Sequence, residues 1–153
     1  MINIRSANPE DAPAIAAMLD EFRAYLRALG DMHAIVSFGR EEFLRDGFGA
    51  NKAFDTLIAE KGTEVVGYAI YAQEYSTDTG RRNLFMHDLF VRGTARGLGV
   101  GEALLSRIVD ICRAQGGEAV SWGVWHRNES AIRFYEKMGA GRAEGVHFMS
   151  VGV

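Results

Sequence analysis

The chain has 153 residues, 48% of them hydrophobic and 24% charged, with a formal net charge of −3. At roughly 150 residues per domain this predicts one domain over residues 1–153, and the mild acidity excludes the broad basic field by which nucleic-acid binders neutralise phosphates. One cysteine, Cys112, excludes an intramolecular disulfide and a Cys-paired zinc site, and no metal is expected. No apolar run approaches the length of a membrane-spanning helix, and Met1 to Arg5 lack a basic segment followed by a long apolar stretch, so the sequence reads as cytoplasmic with no membrane partner.

Ile2 to Ser6 reads as the first strand. Asn8 then offers a helix cap with Pro9 at the first position, and Ile15, Met18, Leu19, Phe22, Leu26 and Leu29 recur at helical spacing, which predicts a helix to about Leu29. Glu41 to Asp46 forms a second short helix ending at Gly47. Leu57 to Glu60 and Glu64 to Tyr75 read as paired strands around Lys61-Gly62, and Thr77 to Gly80 turns the chain into a further strand, Asn83 to Val91. A glycine-rich turn follows, then a helix carrying Leu104, Leu105, Ile108, Val109, Ile111 and Cys112 on one face and ending before Gly116-Gly117. Ala119 to Val124 reads as a strand, Ser130 to Met138 as a helix and Val146 to Val151 as a last strand. The order predicts an α/β domain whose mixed central sheet combines antiparallel strands with one parallel β-α-β crossover and flanking helices.

Arg96-Gly97-Leu98-Gly99-Val100-Gly101 falls between a predicted strand and a predicted helix. A helix N-terminus leaves about four N–H groups unpaired and carries roughly half a positive charge, and glycines let an anion approach the backbone. A nucleoside-triphosphate loop would need Gly-Lys-Ser/Thr, and no lysine follows Gly99 or Gly101. A dinucleotide fold wants a third glycine where Glu102 stands and an acid at the end of the next strand, whereas Glu118 is at its beginning. A bare tight turn leaves Arg96 unexplained.

The loop, placed after Met86-His87-Asp88-Leu89-Phe90-Val91, resembles the acetyl-CoA pyrophosphate loop (Arg/Gln-x-x-Gly-x-Gly/Ala) of the GNAT N-acetyltransferases. About 30 residues later, Asn128 to Ala140 resembles that family's Asn-x-x-Ala-x-x-Phe-Tyr-x-x-x-Gly segment. Asp46-Gly47-Phe48-Gly49, Val66 to Tyr71, Asp88 to Val91 and Glu144 to Phe148 are similar to the spermidine/spermine branch, which includes enzymes acting on thialysine and related diamines.

The resemblance implies the GNAT fold, acetyl-CoA as cosubstrate, a homodimer and direct acetyl transfer to the primary amine of a small molecule. It implies cofactor contacts at Arg96, Gly97, Leu98, Gly99, Val100, Gly101, Glu102, Asn128, Ala131 and Tyr135, with Leu89, Phe90 and Val91 contributing main chain. Tyr135 becomes the general acid for the departing thiolate; its other reading is a core aromatic, as for Phe134. His87 is either a proton relay or a half-buried structural histidine. Strand alternation puts it on one face with Phe85, Leu89 and Val91, and Asp88 on the other. Arg92 and Lys137 are either phosphate contacts or solvated surface.

The acceptor half departs from the branch. His87-Asp88 stands where the branch carries Glu-Asp, and Ser76 and Asp78 fall at its acidic and tryptophan positions. Polyamines need a carboxylate for each desolvated ammonium, so these changes point to a shorter amine held by Asp88, Glu144 and Glu21, with Trp122, Trp125 and His126 either edging the pocket or packing in the core. Two other readings stand beside this one: acetylation of a protein lysine or N-terminus, and a catalytically inactive acyl-CoA-binding module.

Overall fold

A computed structural model describes residues 1–32 and 37–153. Strand β1 (Ile2–Ser6) leads into a 3-10 turn, Pro9–Asp11, and helix α1 (Ala12–Ala28). Asn8 and Asp11 cap this start reciprocally: Asn8 Oδ1 accepts from Glu10 N at 2.9 Å, and Asp11 Oδ2 accepts from Asn8 N at 2.8 Å. Asp11 is also gripped by the Arg5 guanidinium at 2.7 and 2.8 Å, and Arg5 donates to Glu60 at 2.8 Å, so the cap is tied to the sheet. Helix α2 (Arg40–Asp46) stops at Gly47, as expected.

Strands β2 (Asp55–Lys61), β3 (Glu64–Ser76) and β4 (Arg81–Val91) follow, then helix α3 (Val100–Ala114), the short strand β5 (Val120–Trp122) and helix α4 (Glu129–Lys137). The sheet order is β1-β2-β3-β4-β5, with antiparallel pairs throughout except the parallel pair β4-β5. This is the predicted mixed sheet with one crossover.

Alternation along the strands builds two cores. Leu57, Ala59, Ala69, Tyr71, Leu84 and Met86 pack against Leu104, Leu105, Ile108 and Cys112 of α3. Ile58, Tyr68, Ile70 and Phe90 face the other way, onto Ile15, Met18 and Leu19 of α1 and Phe43 of α2. Gly67 brings the start of α3 close: a Cβ there would lie 2.9 Å from the Phe90 carbonyl and 3.3 Å from Val100 Cγ1. That approach sets the glycine loop over the end of β4.

Two expectations fail. Val146 to Val151 is not a strand, and Val146, Phe148, Met149 and Val151 are 62%, 87%, 92% and 87% exposed. Among the described residues nothing pairs with the segment, and alternation without a partner strand does not make a sheet. Second, His87 does not share a face with Leu89 and Val91. Asp88 lies opposite Ile70 while Met86 lies opposite Tyr71, so His87 is the extra residue of a β-bulge that resets the alternation. Leu84, Met86, Leu89 and Val91 all belong to the α3 side as a result, and Asp88 joins Ile70 and Phe90 on the α1 side.

Candidate active site

Strand β5 pairs with β4 only from Leu84 to Met86. From His87 onward the outer edge of β4 has no strand partner among the described residues, and a cleft of about 380 Å³ opens beside it. Leu89, Phe90 and Val91 form one wall, the loop and first turn of α3 (Arg96, Gly97, Gly99, Val100, Gly101, Glu102) the floor, and Asn128, Ala131 and Tyr135 the opposite wall. Leu89 and Tyr135, 46 positions apart in sequence, thus meet in one space. Of the residues expected at the cofactor, Leu98 alone is outside this lining; it is 50% exposed.

The floor has the chemistry to hold an anion. Gly97 and Gly99 have φ of +76° and +79°, and a Cβ on either would meet nothing within 4 Å, so their backbone borders open space. No side chain caps α3, which leaves its first-turn N–H groups and the positive end of its dipole toward the cleft. Gly101 serves packing instead: its bare Cα admits the Phe134 ring, which a Cβ would approach to 3.3 Å. Arg96 lies with its guanidinium 4.7 Å from the centre of the Tyr25 ring and donates from Nε to the Val91 carbonyl at 3.1 Å. These features fit the pyrophosphate and pantetheine parts of acetyl-CoA: fixed donors for charge, and an apolar wall for the arm.

Tyr135 packs against Trp122 and Phe134, with ring centroids 4.8 and 5.1 Å away. Burial, reinforced by the negative charge of Asp88, pushes its phenol up to about 12. Asp88 is itself raised above the usual carboxylate range by burial, against the attraction of His87 and Arg23. Asp88 therefore acts electrostatically on the Tyr135 end of the cleft, although it does not line it. His87 is exposed at the bulge, its ring 5.0 Å from that of Phe85.

The other expected residues lie apart. Trp122 backs Tyr135 and faces a second groove, of about 620 Å³, between α3 and β5. Glu144 is exposed in the C-terminal segment. Glu21 is engaged by Arg92 at 3.1 Å, Arg92 also donates to the Val65 carbonyl at 3.1 Å, and neither lines the cleft. Lys137 does reach the cleft. The expectations omit Phe22 and Tyr25 of α1; at helical spacing both look like core, and only the packing of α1 across the end of β4 brings them to the cleft.

The profile of the Acetyltransferase (GNAT) family matches residues 15–140. The chain is 32% identical to thialysine N-epsilon-acetyltransferase of Sus scrofa over 94% of its own length and 88% of the relative's. It is also 32% identical, over 90% of its length, to the human spermidine/spermine N(1)-acetyltransferase-like protein 1, of which it covers 20%. In structure it is similar to the tetramutant of the BH1408 protein from Bacillus halodurans, with a TM-score of 0.81, 23% identity and 99% of each chain covered. With a glycine loop, an uncapped helix and an opened strand edge in the arrangement just described, the chain belongs to the GNAT family and is an acetyl-CoA-dependent N-acetyltransferase.

Proposed function

We propose that this protein, a single domain throughout, transfers acetyl directly to the primary amine of a small molecule within a ternary complex. The observation that carries the reading is the position of Tyr135, a protonated phenol in the same cleft as the glycine loop and the opened edge of β4. Acetyl-CoA supplies the activated acyl group as a thioester.

The loop amides, Gly97, Gly99 and the α3 N-terminus take up pyrophosphate charge. Main-chain N–H groups among Leu89 to Val91 polarise the thioester carbonyl at the splayed edge. Asp88 attracts the acceptor ammonium, and His87, at the bulge beside it, passes the ammonium proton to solvent so that a neutral nitrogen attacks. Tyr135 then donates its proton to the departing sulfur, and the proton that the nitrogen sheds as the amide forms restores the phenol.

A phenol at about 12 is a weaker acid than a thiol near 8.5, so at rest Tyr135 holds its proton too tightly for this step. Part of that grip comes from the Asp88 charge. An ammonium placed against Asp88 offsets it, which makes Tyr135 a better acid when an acceptor is bound.

Asp88 is the carboxylate whose charge acts on Tyr135, and a single such charge suits an acceptor with a single distal ammonium, such as a lysine-like or short aminoalkyl compound, better than spermine. Trp122 supports the acceptor end by fixing the Tyr135 ring, and Glu144 joins it only if the C-terminal segment folds over the site. The exposed apolar residues of that segment support a homodimer, checked by a light-scattering mass at assay concentration.

The test is thiol release from acetyl-CoA across thialysine-like amines, short diamines, spermine and lysine peptides. A kcat/KM at least tenfold higher for the short amines than for spermine is expected. A tenfold preference for spermine or for peptides overturns the acceptor assignment, and CoA binding with no transfer to any amine overturns the activity.

A further inference from the structure

Asn128 caps α4, and the orientation of its carboxamide is fixed by its neighbours. One terminal atom accepts from the Ala131 backbone N–H at 3.2 Å and from the Tyr25 hydroxyl at 2.9 Å. A backbone N–H only donates, so that atom is the carbonyl Oδ1, and the protons of the amide lie on the opposite end, Nδ2. The residue is 7% exposed, and it lines the cleft. Among the described residues the buried side-chain polar atoms lacking partners belong to Thr56, Tyr68 and Trp125, so Nδ2 is not sealed in the interior, and its place on a cleft-lining residue makes its two protons available there.

Tyr25 reaches Asn128 from α1, 103 positions away in sequence. Its ring meanwhile lies against the Arg96 guanidinium, 4.7 Å from the ring centre, at the mouth of the glycine loop. One side chain thus touches both the floor and a wall of the site.

We propose that Tyr25 is a positioning residue for the cosubstrate: its hydroxyl holds Asn128 with the NH2 group toward the cleft, as a donor to a carbonyl or phosphate oxygen of acyl-CoA, while its ring holds Arg96 beside the loop. The inference rests on the acetyl-CoA reading of the cleft. It assigns to α1 a share in cosubstrate recognition that no loop motif reveals.

The test is calorimetric binding of CoA, with circular dichroism to establish folding. Tyr25→Phe removes the hydroxyl and keeps the ring, so affinity falls about two- to tenfold, the scale of one hydrogen bond. Tyr25→Leu, which also removes the stack on Arg96, falls further. Asn128→Asp still accepts from Tyr25 and Ala131 but cannot donate, and it weakens binding by at least about tenfold. In an Asn128→Ala background the Tyr25→Phe penalty vanishes, which a purely structural role would not produce. In steady state, KM for acetyl-CoA rises in Tyr25→Phe while kcat and the acceptor KM stay within twofold. Wild-type affinity in folded Tyr25→Phe, or a penalty that persists undiminished in the Asn128→Ala background, overturns the proposal. Failure of the wild-type protein to bind CoA would instead overturn the cosubstrate reading itself.

Discussion

Gly99→Ala perturbs the anion cradle in two ways that can be measured separately. Gly99 has φ of +79°, and an alanine there must adopt the left-handed conformation at roughly 1–2 kcal/mol. For a chain of about 150 residues that lowers Tm by roughly 2–8 °C. The added Cβ meets no protein atom within 4 Å, so inside the folded protein it collides with nothing. It does occupy the space through which a pyrophosphate would approach the backbone, and the affinity for CoA should fall at least about tenfold, or 1.4 kcal/mol. Gly62 supplies the control. It has φ of +65° in the β2-β3 turn, its Cβ also meets nothing within 4 Å, and it does not line the cleft. Gly62→Ala should therefore show a similar Tm loss with unchanged CoA affinity. Calorimetry and thermal denaturation on the two variants decide the matter. If Gly99→Ala weakens CoA no more than Gly62→Ala does, the loop is only a turn.

Tyr135→Phe should retain CoA affinity within about twofold and lower kcat on the order of a hundredfold, the usual scale for one general acid; undiminished turnover would leave Tyr135 as packing against Trp122. His87→Gln should remove the acid limb of the kcat/KM profile, and an unchanged limb would take His87 out of the proton path. Asp11→Asn tests the cap rather than the chemistry. Asp11 is held below the usual carboxylate range chiefly by the Arg5 guanidinium, with the Asn8 N–H assisting and burial opposing. A depressed carboxyl stabilises the fold above its unfolded pKa, about 3.9, and that stability is lost as pH falls through its lower folded value. Denaturant titration should show a deficit of about 2 kcal/mol at pH 7, discounted for the partial exposure of Arg5, closing below about pH 4; a deficit independent of pH would mean that the ion pair is not its source.

The elements legible in the sequence were those whose signals are local. Asn8-Pro9 marks a helix start because the cap needs only its own first turn, and the stripe from Leu104 to Cys112 marks α3 because its period is internal to the helix. The glycine loop was legible for the same reason: positive φ at Gly97 and Gly99 and an uncapped helix are properties of a few consecutive residues. What could not be read depends on partners. Val146 to Val151 has a strand-like composition, but whether it pairs is decided by an edge elsewhere. Tyr25 and Phe22 carry ordinary helix periodicity, and nothing in α1 alone announces that its end crosses β4.

The bulge at His87 is the instructive failure. Strict alternation continued from Leu84 and Met86 would have put Asp88 on the α3 side and Leu89 and Val91 on the other face. The structure uses one extra residue to place hydrophobic Leu89 and Val91 on the α3 core and to send Asp88 toward the α1 side, within electrostatic reach of Tyr135. The same point is where β5 leaves β4, after Met86, so the break in side-chain periodicity and the break in strand pairing coincide. An unbroken ladder through this point would give β4 a paired edge and no polar groups to offer a thioester. Bulges are found beside active sites for this reason: they re-aim side chains and end pairing at one stroke. The residue that defeats the period-two rule is thus the residue at which β4 loses its strand partner, just before Leu89 to Val91 enter the cleft.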